Sequence, residues 1–138
     1  MRTKRAHIIL LLLTTMVFSC KKEEAIDKEI DTAIIGSWTN SIQQYSFSED
    51  GKYNFLVVST RDVDSLGLTL TFDSIVGDFY TIANKSIVIE PKLGRKISDN
   101  SIVNFSDIKP QVVNYSVADE KRLTFSSSTV EVELIKSN

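Results

Sequence analysis

The chain holds one imidazole and one thiol, His7 and Cys20, and both stand in its first twenty residues. From residue 21 onward there is neither. Ser-His-Asp and Cys-His nucleophilic catalysis, a redox dithiol, an internal disulfide and a zinc site of imidazole and thiolate are therefore excluded for that stretch. Carboxylates are the remaining source of acid–base chemistry. Glu131 and Glu133 share one face of an alternating segment, about 6.5–7 Å apart from the strand rise, a separation that inverting glycosidases use. Val130, Val132 and Leu134 take the opposite face and read as core, which turns both carboxylates to water. Asp62 and Asp64 with Asp73 are oxygen donors of the type that binds calcium, but the regular ligand loop with its Gly is absent. Lys92, Arg95, Lys96 and Lys109 form a modest basic patch in the irregular stretch from Pro91 to Pro110, read as solvated loop. The chain reads as a non-enzyme, with no catalytic residue, metal or cofactor.

Cys20 has a different use. Arg2, Lys4 and Arg5 precede a thirteen-residue apolar run, Ala6 to Phe18, diluted by His7, Thr14 and Thr15. A bilayer-spanning helix needs about 20 apolar residues, so this run fits the apolar region of a secretory signal. Val17-Phe18-Ser19-Cys20 closes it and resembles the lipobox of bacterial lipoproteins, with Phe18 standing where a small residue is usual. The resemblance implies cleavage between Ser19 and Cys20, a lipid on Cys20, and a membrane partner reached through that lipid. Residues 1–19 are read as the signal peptide, 20–32 as the lipid-anchored tether with a short helix, and 33–138 as the folded domain. Lys21-Lys22-Glu23-Glu24 resembles the export signal of Bacteroidota-type surface lipoproteins, and no Asp follows Cys20. An outer-membrane address is expected, with periplasmic and cell-surface orientations both open. Without Arg2, Lys4 and Arg5 the 16 basic residues fall to 13 against 18 acidic ones, moving the net charge from −2 to −5. No nucleic-acid partner is expected, because backbone binding needs a basic face.

The elements that would carry a site follow from periodicity. Ile26, Ile30, Ala33 and Ile34 form the stripe of one short helix over 25–35, which Gly36 stops. After Gly36 the period changes to two. Tyr45 and Phe47 alternate with serines up to the turn Glu49-Asp50-Gly51, and Tyr53, Phe55 and Val57 return. Leu66, Leu68, Leu70 and Phe72 make the cleanest alternating run. Gly77 opens the next, with Phe79 or Tyr80 and Ile82 as core candidates; Ile87-Val88-Ile89 follows and Pro91 ends it. Ile102, Val103 and Phe105, then Tyr115 and Val117, Leu123 and Phe125, and Val130, Val132 and Leu134 complete eight or nine short strands. The connections are too short for parallel crossovers. This predicts an all-β fold, a small antiparallel meander β-barrel of about eight strands preceded by a short helix, with a β-sandwich as the alternative.

Ile35-Gly36-Ser37-Trp38, then Tyr45-Ser46-Phe47 and Asp50-Gly51-Lys52-Tyr53, resemble the opening of lipocalin-like domains in secreted bacterial lipoproteins. Gly77-Asp78-Phe79-Tyr80-Thr81-Ile82, Tyr115-Ser116-Val117 and Leu123-Thr124-Phe125 are similar to its middle and closing strands. The resemblance spans about residues 33–136 and favours the barrel. It implies a binding protein that takes a small apolar or amphipathic ligand in a shallow pocket near one mouth, with Trp38, Tyr45, Tyr53, Phe55, Tyr80 and Tyr115 as candidate lining residues. Trp38 is also expected to cross the closed end. The alternative is a filled barrel that serves an envelope protein as accessory subunit or inhibitor through its outer surface. Asp31-Thr32-Ala33, Asp64-Ser65-Leu66 and Asp73-Ser74-Ile75 resemble the O-glycosylation signal of Bacteroidota-type envelope proteins, which would modify Thr32, Ser65 and Ser74.

Overall fold

The computed structural model describes residues 28–58, 71–82 and 85–138. Among them the two-residue period becomes nine strands: β1 (Gly36–Thr39), β2 (Gln43–Phe47), β3 (Lys52–Val57), β4 (Phe72–Ile82), β5 (Ser86–Lys96), β6 (Ile102–Asn104), β7 (Gln111–Ala118), β8 (Arg122–Ser126) and β9 (Glu131–Lys136). Each pairs antiparallel with its neighbours. The ring runs β1-β2-β3-β4-β5-β7-β8-β9 and returns to β1, while β6 lies outside it against the far end of β5. The fold is thus a closed eight-stranded barrel, which satisfies strand edges internally. The sandwich alternative fails because β4 pairs with β5 along nearly its whole length, leaving no second sheet.

Alternation sorts the side chains. Tyr45, Phe47, Tyr53, Phe55, Phe79, Ile87, Ile89, Tyr115, Leu123, Phe125 and Leu134 point inward and are buried. Tyr45 meets Phe125 edge to face at a 5.4 Å centroid separation, and Phe47 meets Phe79 in the same way at 4.9 Å. Such pairs add about 0.5–1.5 kcal/mol each beyond their buried area. On β4 the inward residues are Ile75, Gly77, Phe79 and Thr81; Tyr80 and Ile82 have the opposite parity and are half-buried. Leu66, Leu68 and Leu70 lie outside the described residues, as do Ile26 and Cys20.

The helix expected over 25–35 is not formed in its described part. From Lys28 the chain is extended, with one 3-10 turn at Thr32–Ile34. Glu29 makes an antiparallel bridge to Thr81, its N–H donating to the Thr81 carbonyl at 3.2 Å and its carbonyl accepting the Thr81 N–H at 2.6 Å. The bridge occupies backbone groups that a helix would need, and Ile30 and Ile34 still reach the core from the extended chain. The isoleucine spacing therefore records burial rather than helicity.

Pro91 does not end its strand either. β5 continues to Lys96 because the register slips between Val76 and Gly77, and the proline, which has no N–H to donate, sits at that irregularity. Gly77 opposite allows the close approach: a Cβ there would lie 2.1 Å from the Glu90 carbonyl oxygen. Past the slip, while β4 stays paired with β3 from Ser74 onward, β5 runs on with β6 and the first residues of β4 as a flap. Its own small core is Phe72 edge to face with Phe105 at 5.0 Å over Gly94.

Candidate functional site

The two ends of the barrel differ. At one end the segment from Glu29 to Ile35 crosses the base. Trp38 and Ile34 are wholly buried there, and the indole N–H donates to the Ile34 carbonyl at 2.7 Å. Thr81 Oγ1 donates to the Glu29 carbonyl and accepts the Asp31 N–H, both at 3.0 Å. Asp31 Oδ2 accepts from the Tyr115 hydroxyl at 2.7 Å and from Lys85 Nζ at 2.8 Å. The Lys85 hydrogen bond, then that from Tyr115, hold the Asp31 carboxyl down at about 2. This base is plugged and its polar groups are paired.

The opposite end is hollow. A cavity of about 270 Å3 opens there, walled by Phe55, Ile75, Ile89, Val113, Phe125 and Val132. Two local features hold it open. Asn40 Oδ1 accepts the N–H groups of Ile42 and Gln43, turning the chain after Thr39, and Asn40 Nδ2 donates to the Glu133 carbonyl at 3.3 Å. In consequence β1 pairs with β9 only through Trp38 with Lys136 and Thr39 with Ile135, which leaves a notch beside the start of β9.

Polar groups reach the cavity from β2 and β3. Gln43 is 8% exposed, and Tyr45 and Tyr53 are buried beside it. Among the described residues neither the Gln43 amide nor the Tyr45 hydroxyl has a hydrogen-bond partner. Burial, with the Tyr53 hydroxyl adding to it, pushes the Tyr45 hydroxyl far above its ordinary range. Burial first and then Asp78 raise Tyr53 in the same direction. Negative charge is thus disfavoured inside this end of the barrel.

Of the expected lining residues, Tyr45, Tyr53 and Phe55 meet in the cavity wall. The other three lie elsewhere. Trp38 and Tyr115 belong to the plugged base, and Tyr80 faces outward with Lys28 Nζ 4.6 Å from its ring. Gln43 was absent from the expected set, although it has the inward parity of Tyr45 and Phe47 one step earlier on the same strand.

The charged candidates are dispersed. Glu131 and Glu133 border the notch with exposed side chains, while Val132 and Leu134 face in. Asp73 is held by Arg95 through two hydrogen bonds, 2.8 and 3.1 Å, and Asp62 and Asp64 lie outside the described residues. Lys92, Arg95 and Lys96 are on β5 rather than in a loop, with Lys92 3.8 Å from Glu90. No group of three or more His, Cys, Asp or Glu side chains is placed to hold a metal among the described residues. Thr32 is exposed on the 3-10 turn, Ser74 is half-buried on β4 between Leu56 and Arg95, and Ser65 lies outside the described residues.

Comparison of the chain with protein-family models, with curated proteins and with solved structures returned no match. Geometry alone defines the class: a closed eight-stranded antiparallel barrel, plugged at one end and hollow at the other.

Proposed function

We propose that this protein is a lipid-anchored envelope binding module with a lipocalin-like barrel, taking a small apolar or amphipathic ligand in the hollow end. The cavity of about 270 Å3 carries this reading, because it persists in a barrel whose other end is filled by interlocked aromatic and aliphatic side chains. Mostly apolar walls with a few convergent polar groups are the usual composition of a small-molecule site. The anchor rests on Cys20 following Val17-Phe18-Ser19 at the end of an apolar run. The address is the outer membrane, at its periplasmic or cell-surface side. No catalytic step belongs to this reading, since residues 21–138 have neither imidazole nor thiol.

Two measurements test it. Incorporation of a labelled fatty acid by the full chain is expected in a bacterial host and should vanish in Cys20→Ala; labelling of that variant would sink the anchor. A panel of apolar and amphipathic compounds should raise the melting temperature by mass action, and a panel without effect would sink the pocket.

A second reading has its own observation. Val76, Leu93 and Ile102 expose 39, 40 and 63% of their surfaces along the outside of the β4–β5–β6 flap. An accessory or inhibitory protein that docks an envelope partner would use such a surface. Crosslinking in intact cells that is abolished by Ile102→Lys would favour it.

A further inference from the structure

The polar groups at the hollow end narrow the chemistry of the ligand. Gln43 and Tyr45 lie on β2, with Val57 and Phe55 opposite them on β3, and both are more than nine-tenths buried. The side chain of each lines the cavity and has no hydrogen-bond partner among the described residues. Their polar atoms open into the cavity, since the one sealed side-chain polar atom without a partner among the described residues is Asn54 Oδ1, and the pair is poised to hydrogen-bond a group that enters. The Gln43 amide both donates and accepts, as does the Tyr45 hydroxyl.

No Lys or Arg stands among the described residues lining the cavity, and the only charged ones are Glu131 and Glu133 at the notch. Among the described lining residues an anionic head would find no cation and would face two carboxylates at the entrance. A cationic head would leave water for a site whose inner polar groups are uncharged. Both are penalised by desolvation. At about 30 Å3 for each water-sized group, the 270 Å3 cavity holds about nine of them.

We propose that the barrel takes an uncharged amphiphile of about nine heavy atoms, an alcohol or primary amide whose head is hydrogen-bonded by Gln43 and Tyr45 inside the barrel while its chain packs against Phe55, Ile89, Val113 and Phe125. The inference rests on the ligand-binding reading above and goes further by fixing the head group. It separates this site from fatty-acid carriers, whose carboxylate needs a cation or a wet entrance.

The test is calorimetric titration of the full chain at neutral pH with four probes of equal chain length: 1-octanol, octanamide, octanoate and octylammonium. Octanol and octanamide should bind about tenfold or more tightly than either ion. Gln43→Leu and Tyr45→Phe should each weaken octanamide about fivefold or more through the lost hydrogen bond. Tyr45→Phe keeps the ring packing, so it reports even where Gln43→Leu fails to fold. Octanoate or octylammonium binding as tightly as octanol overturns the neutral head group and leaves the pocket standing. Octanamide affinity unchanged in Tyr45→Phe overturns the placement of the head. No binding by any of the four overturns the proposal together with the pocket on which it rests.

Discussion

The Tyr115 hydroxyl donates to Asp31 Oδ2 across 2.7 Å, joining β7 to the segment that crosses the base of the barrel. The same oxygen receives Lys85 Nζ, and Asp31 Oδ1 accepts the Ala33 N–H at 3.0 Å. One carboxylate therefore fastens the plug to two places on the wall and starts the 3-10 turn.

Asp31→Ala should destabilise the protein by about 2 kcal/mol at neutral pH, as expected for losing charged hydrogen bonds. The folded-state value of about 2 lies below the ordinary 3.8, so this contribution is full above 3.8 and disappears as pH falls through about 2. Urea unfolding between pH 5 and 2 should accordingly show a stability loss that is smaller in Asp31→Asn. Parallel pH profiles for the two proteins would remove Asp31 from the acid response.

Trp38 fills the base without any exposed surface and spends its N–H on the Ile34 carbonyl. Trp38→Ala should cost about 3–5 kcal/mol. Trp38→Phe, which keeps a ring but orphans that carbonyl, should cost about 1–3 kcal/mol. An unchanged melting temperature in Trp38→Ala would refute this placement.

Gly77 lets β4 pass Pro91 of β5 at close quarters. A methyl group there meets the Glu90 carbonyl oxygen at 2.1 Å and the Pro91 Cα at 2.9 Å, and backbone cannot swing aside as a side chain can. Gly77→Ala is expected to destabilise by about 3 kcal/mol or more. A loss below about 1 kcal/mol in chemical denaturation would mean that the two strands separate there at little cost.

The flap depends on a core of its own. Phe105→Ala removes the edge-to-face partner of Phe72 and uncovers Gly94. Amide exchange should accelerate at Leu93–Arg95 and in β6 while β1, β2 and β9 stay protected, because the flap would open without the barrel. Uniform acceleration throughout the chain would show instead that the flap and the barrel unfold as one unit.

Strand order and inward faces were legible wherever alternation was unbroken, as in Tyr45-Phe47 with Tyr53-Phe55 and in Val132 with Leu134. The meander followed from the short connections. Parity was ambiguous where two apolar neighbours were adjacent: Phe79 and Tyr80 could not be told apart until Thr81 was seen turning inward to bind Glu29 and Asp31. The isoleucine stripe misled because a segment lying across a barrel base buries residues at intervals that a helix also gives. Pro91 misled because a glycine facing it on the neighbouring strand of the β4–β5 hairpin absorbs the irregularity. The cavity itself was legible only in part. Tyr45, Tyr53 and Phe55 stand in its wall while Trp38, Tyr80 and Tyr115 do not, and Gln43 is a polar residue at an inward position, which announces itself only when the space in front of it is known.

The plugged base is also where the two ends of the described domain meet. The chain enters at Lys28 beside β4, and it leaves past Lys136, where the Ser137 N–H donates to the Ser37 carbonyl at 2.8 Å. Both ends of the described domain thus lie at the foot of a cup. The residues before Lys28 join it on the sealed side, opposite the rim. A fluorescent protein or an affinity tag added after Asn138 would hang beneath the cup and leave its opening unobstructed.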